Sequence, residues 1–429
     1  MPRDKLREKL FEAIEEIKVV DCHEHLPPES VRVARKVDLF TLFSHYTKGD
    51  LARAGMAENE IQLLSKEDIS LDSRWRLFAP FWEKIRYTSY SRAVLIAIRK
   101  FYGENDINQG NYQKISERMK EMNQPGIYQR ILKEAGGIQV VLTQCGRTRT
   151  ESELLKPIMP LTYPMETSEE LLYPPFAAGR RTGSLDDYLE SCRRYLLQVK
   201  KEGAVGLKLM TQPFGPPSRR QALSFFKRII TGKAKREPPR RWPTFPLSHP
   251  LLDYITEEMV NLAGKENLVV AVHTGYWGDF RRLHPLHLIP LLQRHPETRF
   301  DIYHCGYPWV RETLMLAKGF SNVWLNFCWT HIISQKFATE SLDEALDLLP
   351  NNKILAFGGD YRDPVEKVYG HLVMAREDIV QLLSTRIRRG SLKENEALRL
   401  ARLWFYDNPV SLYRLTLSTG QAPVHRARG

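Results

Sequence analysis

Two histidines separated by one residue follow a short apolar segment near the start of the chain. The segment is Val19–Val20, and His23 and His25 come soon after it. On a β-strand, side chains two residues apart point to the same face, so the two imidazoles would aim at one point. Neutral imidazole is the commonest metal ligand in proteins. A single His-x-His sequence more often lies in a surface loop, so a metal site requires further ligands.

Further residues of the ligand type end later strand-like segments. His273 ends LVVAVH, His304 ends FDIYH and Asp360 ends ILAFGGD. Taken singly, each histidine could be a hydrogen-bonded core residue, and Asp360 could cap the following helix. Taken together with His23 and His25, they predict one metal centre, because the strands of a barrel bring their carboxyl ends to the same mouth.

The strand-like segments themselves predict the fold. Eight short, β-rich apolar runs alternate with stretches long enough for a helix, which is typical of buried parallel strands in βα units. Eight such units predict an α/β protein with a (β/α)₈ TIM barrel. The predicted strands are Lys18–Asp21, Ile138–Thr143, Ile158–Tyr163, Val205–Met210, Leu268–His273, Arg299–His304, Asn322–Phe327 and Ile354–Asp360.

The chain is longer than a simple barrel requires. A barrel needs about 250 residues, and this chain has 429. We expect the largest addition between the first two strands, where Leu77–Lys100 and Tyr112–Met122 are amphipathic. The prediction is a barrel formed by residues 1–26 and 136–429, with residues 27–135 as a helical insertion that caps its mouth. Smaller insertions are expected after the third and fourth strands, and a last helix is expected to start with Asn408 as N-cap.

Composition excludes several classes of protein. No apolar run is long enough to cross a membrane, and the charged N-terminus lacks the apolar core of a signal peptide. The five cysteines have no CxxC spacing, which favours reduced thiols in a cytoplasmic protein. The net charge of +12 is concentrated in clusters. No zinc finger, RNP motif or basic zipper accompanies them, so we expect a basic surface and no nucleic-acid partner. The basic clusters are Lys233–Arg241, Arg386–Arg389 and His425–Arg428.

Lys208 is a further candidate for the site. In the segment VGLKLM the apolar alternation predicts that Lys208 points into the barrel. Lysine is rarely buried without a partner. The side chain could bind a substrate carboxylate, bridge two metal ions after carboxylation, or reach solvent as a structural residue; we favour the first.

The residues just described resemble the amidohydrolase superfamily of metal-dependent TIM barrels. The similarity rests on the order of Asp21-x-His23-x-His25, Lys208, His273, His304 and Asp360 along the strands. The segments LVVAVHTG, YHCGYPW, LAFGGDYRDP and NPVSLYRL are similar to the amidohydrolase-related branch, which includes uronate isomerase and carboxymuconate-semialdehyde decarboxylase. The large insertion after the first strand resembles that of uronate isomerase.

The resemblance implies a role for each motif residue. His23, His25 and Asp360 would be metal ligands, with His273 as a fourth, while His304 would polarise substrate or exchange protons. Asp360 would also act as general base toward a metal-activated water. Three imidazoles and one carboxylate favour a single Zn²⁺, with Mn²⁺ or Fe²⁺ as alternatives.

Three functions remain open from the sequence. The first is a metal-dependent hydrolase of a small, polar, carboxylate-bearing substrate, with Asp360, His304 and Lys208 as catalytic residues. The second is a sugar-acid isomerase of the uronate type, or a non-oxidative decarboxylase, using the same mononuclear site. The third is a non-catalytic binding barrel, which the intact ligand set argues against. This class is often homo-oligomeric, and the sequence does not decide it.

A carboxylate substrate calls for an arginine that can grip it with two hydrogen bonds. We predict Arg147 and Arg362, which follow the second and eighth strands, and Arg86 in the insertion. His45, Trp277 and His331 could also line the pocket, although ordinary packing is the simpler interpretation for each of them.

Overall fold

The computed structural model describes residues 4–165, 167–233 and 249–416. Eight parallel strands hydrogen-bond in chain order from β1 to β8, with helices between them, and form a nearly closed barrel. The predicted TIM barrel is therefore confirmed. The strands are β1 Val19–Glu24, β2 Ile138–Thr143, β3 Leu155–Pro160, β4 Gly206–Met210, β5 Val269–His273, β6 Phe300–Tyr303, β7 Val323–Asn326 and β8 Ile354–Leu355.

Three predicted strands differ from the observed ones by three residues or more. β1 continues to Glu24, three residues beyond the predicted end at Asp21. β3 begins three residues earlier than expected, at Leu155. Lys156 and Pro157 concealed its first half, since proline has no N–H for a ladder and usually marks a strand edge. β8 ends at Leu355, although the predicted segment ran to Asp360. The chain beyond Leu355 makes only isolated backbone hydrogen bonds to β1, which do not form a continuous strand pairing.

These isolated backbone hydrogen bonds between β1 and the chain after β8 bring the first and last strands of the barrel together. The N–H of Cys22 donates to the carbonyl of Phe357 at 3.0 Å, and the N–H of Asp360 donates to the carbonyl of His23 at 2.8 Å. The predicted ligand segments of the first and eighth strands therefore lie side by side.

Eighteen α-helices lie in the described part of the chain, and short 3₁₀ and π turns accompany them. The helices are α1 Lys5–Glu15, α2 Glu29–Val33, α3 Thr47–Arg53, α4 Glu58–Leu63, α5 Leu71–Ile85, α6 Ser89–Tyr102, α7 Tyr112–Met122, α8 Ser168–Leu172, α9 Leu185–Lys201, α10 Arg219–Ile230, α11 Pro250–Lys265, α12 Ile289–Arg294, α13 Val310–Gly319, α14 Thr330–Ile333, α15 Gln335–Leu348, α16 Val365–Arg388, α17 Glu394–Arg402 and α18 Asn408–Tyr413.

The segment between β1 and β2 is helical and has a hydrophobic core of its own. Buried side chains from Val37 to Met119 form this cluster, which is separate from the two clusters of the barrel. The helix α6 packs closely on α16, since a Cβ at Gly370 would lie 2.1 Å from the carbonyl oxygen of Ala93. The division of the chain at residues 27 and 135 remains a prediction.

A separate cluster of buried apolar and aromatic side chains lies inside the barrel. Val20, Val140, Ile158 and Ala271 belong to this interior cluster, and Tyr413 of α18 packs against it. Asn408 is not the N-cap that the sequence predicted, because α18 continues from the preceding π turn. Its side-chain amide instead donates to the carbonyls of Asn351 and Ile354, each at 2.8 Å.

The remaining compositional expectations can be compared with the structure. All five cysteines are unpaired, as expected for reduced thiols. No helix in the described ranges has both the length and the apolar composition needed to cross a membrane. Most of the basic cluster Lys233–Arg241, and all of His425–Arg428, lie outside the described residues.

Gly359 is required for the close approach of β1 to the chain after β8. A Cβ at this position would lie 1.9 Å from Oε1 of Glu24, a fully buried side chain. We expect Gly359→Ala to lower the free energy of unfolding by about 1–3 kcal/mol or more, as for other overpacked sites. Urea denaturation measures this. The control is Gly319→Ala in α13, where no atom lies within 4 Å of the added Cβ. Equal stability of the two variants would contradict the packing argument.

Candidate metal centre

Three predicted ligands meet at the mouth of the barrel, which is the end formed by the carboxyl ends of its strands. The Nε2 atoms of His23 and His25 lie 3.0 and 3.3 Å from Oδ1 of Asp360. One ligand atom from each of the three residues lies within 4.8 Å of the other two. His23 and Asp360 are almost fully buried, and His25 is partly exposed. The site is thus anchored in the barrel and open on the His25 side.

The position of Asp360 is set by backbone and side-chain contacts. Its φ of 64° lies in the left-handed region, which is uncommon for a residue with a Cβ. The bond from its N–H to the His23 carbonyl holds it there. The hydroxyl of Tyr46, from the segment between β1 and β2, donates to Oδ2. Oδ1 is left facing the two imidazoles.

Gln144, which follows β2, contacts both histidines and was missed in the sequence. Its backbone carbonyl lies 3.3 Å from Nδ1 of His25 and can accept the proton of that nitrogen. Its side-chain Nε2 lies 3.2 Å from Nδ1 of His23 and can donate only to an unprotonated Nδ1, so the amide must turn by 180° for its oxygen to accept a proton there. Protonation at Nδ1 leaves the lone pair on Nε2, as metal ligation requires. Its place directly after a predicted strand was the signal that could have identified it.

His273 and His304 form a second pair beside this group. Nδ1 of His304 lies 3.3 Å from the carbonyl of Cys328, and Nε2 of His304 lies 3.0 Å from Nδ1 of His273. The carbonyl can only accept, so His304 carries its proton on Nδ1, and His273 donates from Nδ1 to His304. Nε2 of His273 then carries a lone pair and has no partner among the described residues. His273 lies outside the three-residue cluster, so its role as fourth ligand remains a prediction.

The electrostatics favour neutral imidazoles beside an ionised carboxylate. Burial holds the pKa values of His23 and His273 well below the ordinary value and lowers the pKa of His304 to about 4. Burial alone would raise the pKa of Asp360, but the interactions with His23 and His25 outweigh it and hold that pKa well below its ordinary range. Neutral imidazoles and a carboxylate are the forms that bind a metal.

The donor set fits a divalent cation. The Nε2 atoms of His23 and His25 face Oδ1 of Asp360 at 3.0 and 3.3 Å. When each imidazole carries its proton on Nδ1, these three atoms are electron-pair donors that face one another, and a cation between them would bond to all three. Two nitrogens and one oxygen suit Zn²⁺, Mn²⁺ or Fe²⁺.

Lys208 points into the barrel, as its alternation predicted. Its Nζ lies 4.1 Å from the centre of the Tyr303 ring, which belongs to the interior cluster. Burial lowers the pKa of its ammonium group to about 8, although Asp360 acts in the opposite direction. Lys208 also lines a cavity of about 350 Å³ together with His25 and Gln144.

The three predicted arginines occupy different surroundings. Arg147 and Arg362 are exposed on the loops after β2 and β8. Gly146, the neighbour of Arg147, lines the cavity. Arg86 is ion-paired with Glu83 and Asp106 within the helical segment. These pairs give Arg86 a structural role, so Arg147 and Arg362 are the stronger candidates for a substrate carboxylate.

The other pocket candidates have mixed outcomes. Nδ1 of His331 pairs with Asp378 at 2.8 Å, and its Nε2 lies 3.0 Å from the carbonyl of Ala356, which indicates a structural role. His45 lies beside Tyr46, with ring centres 3.9 Å apart, and its buried Nδ1 has no partner among the described residues. The helical segment thus contributes polar side chains to the mouth, and the sequence did not single out Tyr46.

Comparison with known proteins agrees with this geometry. The chain matches the Amidohydrolase family over residues 186–415, more than half of its length. The chain belongs to this family. Its membership identifies it as an enzyme. Protein fluG of Emericella nidulans is 27% identical to it over 207 residues, which cover 41% of this chain and 22% of fluG.

Solved structures of the same fold extend over almost the whole chain. Uronate isomerase from Thermotoga maritima has a TM-score of 0.77 and 15% identity, covering 96% of this chain and 98% of its own. Glucuronate isomerase from Caulobacter crescentus has a TM-score of 0.76 and 17% identity, covering 99% and 96%. A Lactobacillus casei protein classed as a metal-dependent hydrolase has a TM-score of 0.64 and 18% identity, covering 94% and 97%. At these identities the likeness establishes the fold alone.

Metal analysis tests the centre. Protein purified without chelator is expected to contain close to one equivalent of a divalent metal by mass spectrometry. Replacing His23 or Asp360 with alanine should reduce this content at least tenfold, because each removes a donor from the cluster. His287→Ala, outside the cluster, is the control. Unchanged metal content in the His23 and Asp360 variants would contradict the assignment.

The buried ammonium of Lys208 gives a pH-dependent stability. Its pKa in the fold, about 8, is below the ordinary lysine value of 10.5. The unfolded chain therefore binds the proton more tightly, so stability rises with pH between these two values and the full penalty is present below pH 8. In metal-free protein, Lys208→Met should raise the free energy of unfolding by roughly 1–3 kcal/mol at pH 7 and by about half as much at pH 9.5.

Chemical denaturation in the presence of a chelator measures this difference at the two pH values. Lys227→Met on α10 is the control, since Lys227 is exposed. A Lys208→Met variant that is less stable than the parent at both pH values would show that other groups compensate the ammonium.

Proposed function

We propose that this enzyme is a metal-dependent hydrolase that cleaves a C–N or C–O bond of a small, carboxylate-bearing substrate. The observation that supports it is the convergence of His23, His25 and Asp360 at the mouth of the barrel. One divalent ion, with Zn²⁺ as first choice, would be held by these residues. When bound, it would polarise the scissile group and acidify water.

Asp360 would act as the general base. Its carboxylate is ionised, and it lies beside the two histidines where the reacting water would sit. The Tyr46 hydroxyl donates to Oδ2. Burial, together with the Asp360 charge, holds the pKa of Tyr46 well above its ordinary value, so the tyrosine stays protonated and keeps the carboxylate oriented.

His304 and His273 would divide the role that the sequence assigned to His304 alone. Both nitrogens of His304 are engaged, one with Cys328 and one with His273. His304 therefore acts as a positioning residue that fixes the tautomer of His273. The unpartnered Nε2 of His273 is the atom available to a ligand or a proton.

Lys208 and the loop arginines would bind the substrate carboxylate. Lys208 lines the cavity next to His25. Two nearby cations repel strongly at low dielectric, so an unmodified Lys208 favours a single metal ion. Arg147 and Arg362 are exposed on the adjacent loops and can approach a bound carboxylate. Residues 27–135 would cap the mouth, which the contact of Tyr46 with Asp360 supports.

A sugar-acid isomerase is the second candidate. Two structures named as uronate or glucuronate isomerases match 96% and 99% of this chain, a range that includes the helical segment carrying Tyr46. A tyrosine hydroxyl beside Asp360 would also suit proton transfer between adjacent carbons.

A substrate panel distinguishes the two reactions. Metal-loaded enzyme is incubated with N-acyl amino acids, lactones and uronates, and products are followed by mass spectrometry and by a ketose assay. Hydrolysis adds the mass of water, whereas isomerisation leaves the mass unchanged. We expect hydrolysis. Turnover of uronates alone, without hydrolysis of any N-acyl compound or lactone, would establish the isomerase instead.

Removing the Tyr46 hydroxyl tests its contact with the base. In Tyr46→Phe, the Asp360 carboxylate loses a donor that stabilises its charged form, so its pKa rises. The acidic limb of the kcat/KM profile should move to higher pH, and activity should fall about tenfold or more, with the metal content unchanged. Tyr87→Phe is the control, since Tyr87 is 88% exposed. A profile identical to that of the parent would remove Tyr46 from the mechanism.

A further inference from the structure

The cavity beside the metal centre extends away from it between β3, β4 and α11. At the metal end it is lined by His25, Gln144 and Lys208. Leu252 and Thr256 of α11 also line it, so the cavity reaches from the ligand cluster to a helix that packs on the outside of the barrel. Its volume of about 350 Å³ is within the range of pockets for small molecules.

The wall of the cavity is largely apolar. Ile158, Pro160, Met210 and Leu252 line it. Tyr163 also lines the cavity. Its hydroxyl lies 3.2 Å from the hydroxyl of Tyr195 and so has a partner within the protein. A polyhydroxylated chain would leave hydroxyl groups without partners against such a wall, at a cost for each of them. An alkyl or aryl group would instead gain from burial.

One polar group of the cavity lining lacks a partner among the described residues. Thr256 is fully buried and lines the cavity, and its Oγ1 has no hydrogen-bond partner among the described residues. A buried hydroxyl without a partner is costly. A ligand atom that can accept or donate a hydrogen bond would satisfy it. The cavity lining is therefore largely apolar, and Thr162, Gln212 and Thr256 are polar side chains outside the metal centre.

We infer that this cavity is the subsite for an apolar acyl or aryl arm of the substrate, ending in a single oxygen that bonds to Thr256. The inference rests on the proposed function, because it places the reacting group of the substrate at the metal end. It adds the substrate class: amphipathic carboxylates with an apolar arm, in preference to sugar acids. Met210 and Thr256 become the residues that determine specificity.

Binding of straight-chain carboxylates tests the apolar wall without any turnover. Dissociation constants are measured by calorimetry on metal-loaded enzyme for acetate, butyrate, hexanoate and gluconate. Each added methylene should tighten binding about fourfold, the effect of burying one CH₂ group. Gluconate should bind more weakly than hexanoate. Equal affinity across the alkyl series, or tighter binding of gluconate, would overturn the inference.

Two substitutions locate the effect. Met210→Gln, close in size and polar, should reduce the gain per methylene to less than twofold, whereas Met315→Gln at an exposed position on α13 should leave it unchanged. Thr256→Val, similar in shape, should weaken 6-hydroxyhexanoate about three- to tenfold and leave hexanoate unchanged. A chain-length gain that persists in Met210→Gln, or a loss equal for both ligands in Thr256→Val, would contradict the subsite.

The binding experiments test the apolar subsite separately from the proposed hydrolysis. A protein that binds one metal ion and hydrolyses N-acyl compounds, but shows no chain-length effect, refutes the subsite and leaves the proposed function standing. A protein that shows the chain-length effect in the calorimeter, but no hydrolysis, refutes the reaction and leaves the apolar subsite standing.

Discussion

The site depends on one backbone hydrogen bond, from the N–H of Asp360 to the carbonyl of His23. It joins the first strand to the chain after the eighth, and so it brings together candidate ligands that are far apart in sequence. Gly358 and Gly359 make this approach feasible, because a Cβ at either position would collide with β1, at the backbone nitrogen of His23 or the carboxylate of Glu24. The barrel mouth and the ligand cluster are therefore built by the same contact.

Hydrogen bonds around the cluster fix the chemistry of each donor. The backbone carbonyl of Gln144 can accept a hydrogen bond from Nδ1 of His25. The hydroxyl of Tyr46 donates a hydrogen bond to Oδ2 of Asp360. His304 holds His273 through a chain that ends at the carbonyl of Cys328. Each partner is itself anchored to the barrel or to the helical segment after β1. Burial then keeps the imidazoles of His23 and His273 neutral.

The sequence predicted those features that follow from local patterns. Short apolar runs that alternate with helical stretches identified the strands. The positions of His23, His25 and Asp360 at or near the ends of these runs placed the three residues at one mouth of the barrel. Long-range contacts were not accessible in this way. Gln144 acts through a carbonyl and an amide that no motif marks, and Tyr46 reaches Asp360 from an insertion whose docking depends on tertiary packing.

The differences between the predicted and the observed strand and helix bounds also come from long-range contacts. The early start of β3 was hidden by Pro157, whose place in the sheet is decided by neighbouring strands rather than by its own preference. Asn408 is the first residue of α18 and not its N-cap, and its side-chain amide donates to the carbonyls of Asn351, before β8, and of Ile354, in β8. In both cases tertiary contacts override a local signal.

The central claim is that one divalent ion binds between His23, His25 and Asp360. Anomalous diffraction from crystals of zinc-loaded protein, recorded above and below the zinc absorption edge, tests it most directly. A single peak is predicted within bonding distance of both Nε2 atoms and the Asp360 carboxylate, with Lys208 unmodified. Two peaks bridged by a carboxylated Lys208, or a peak away from these three residues, would contradict it.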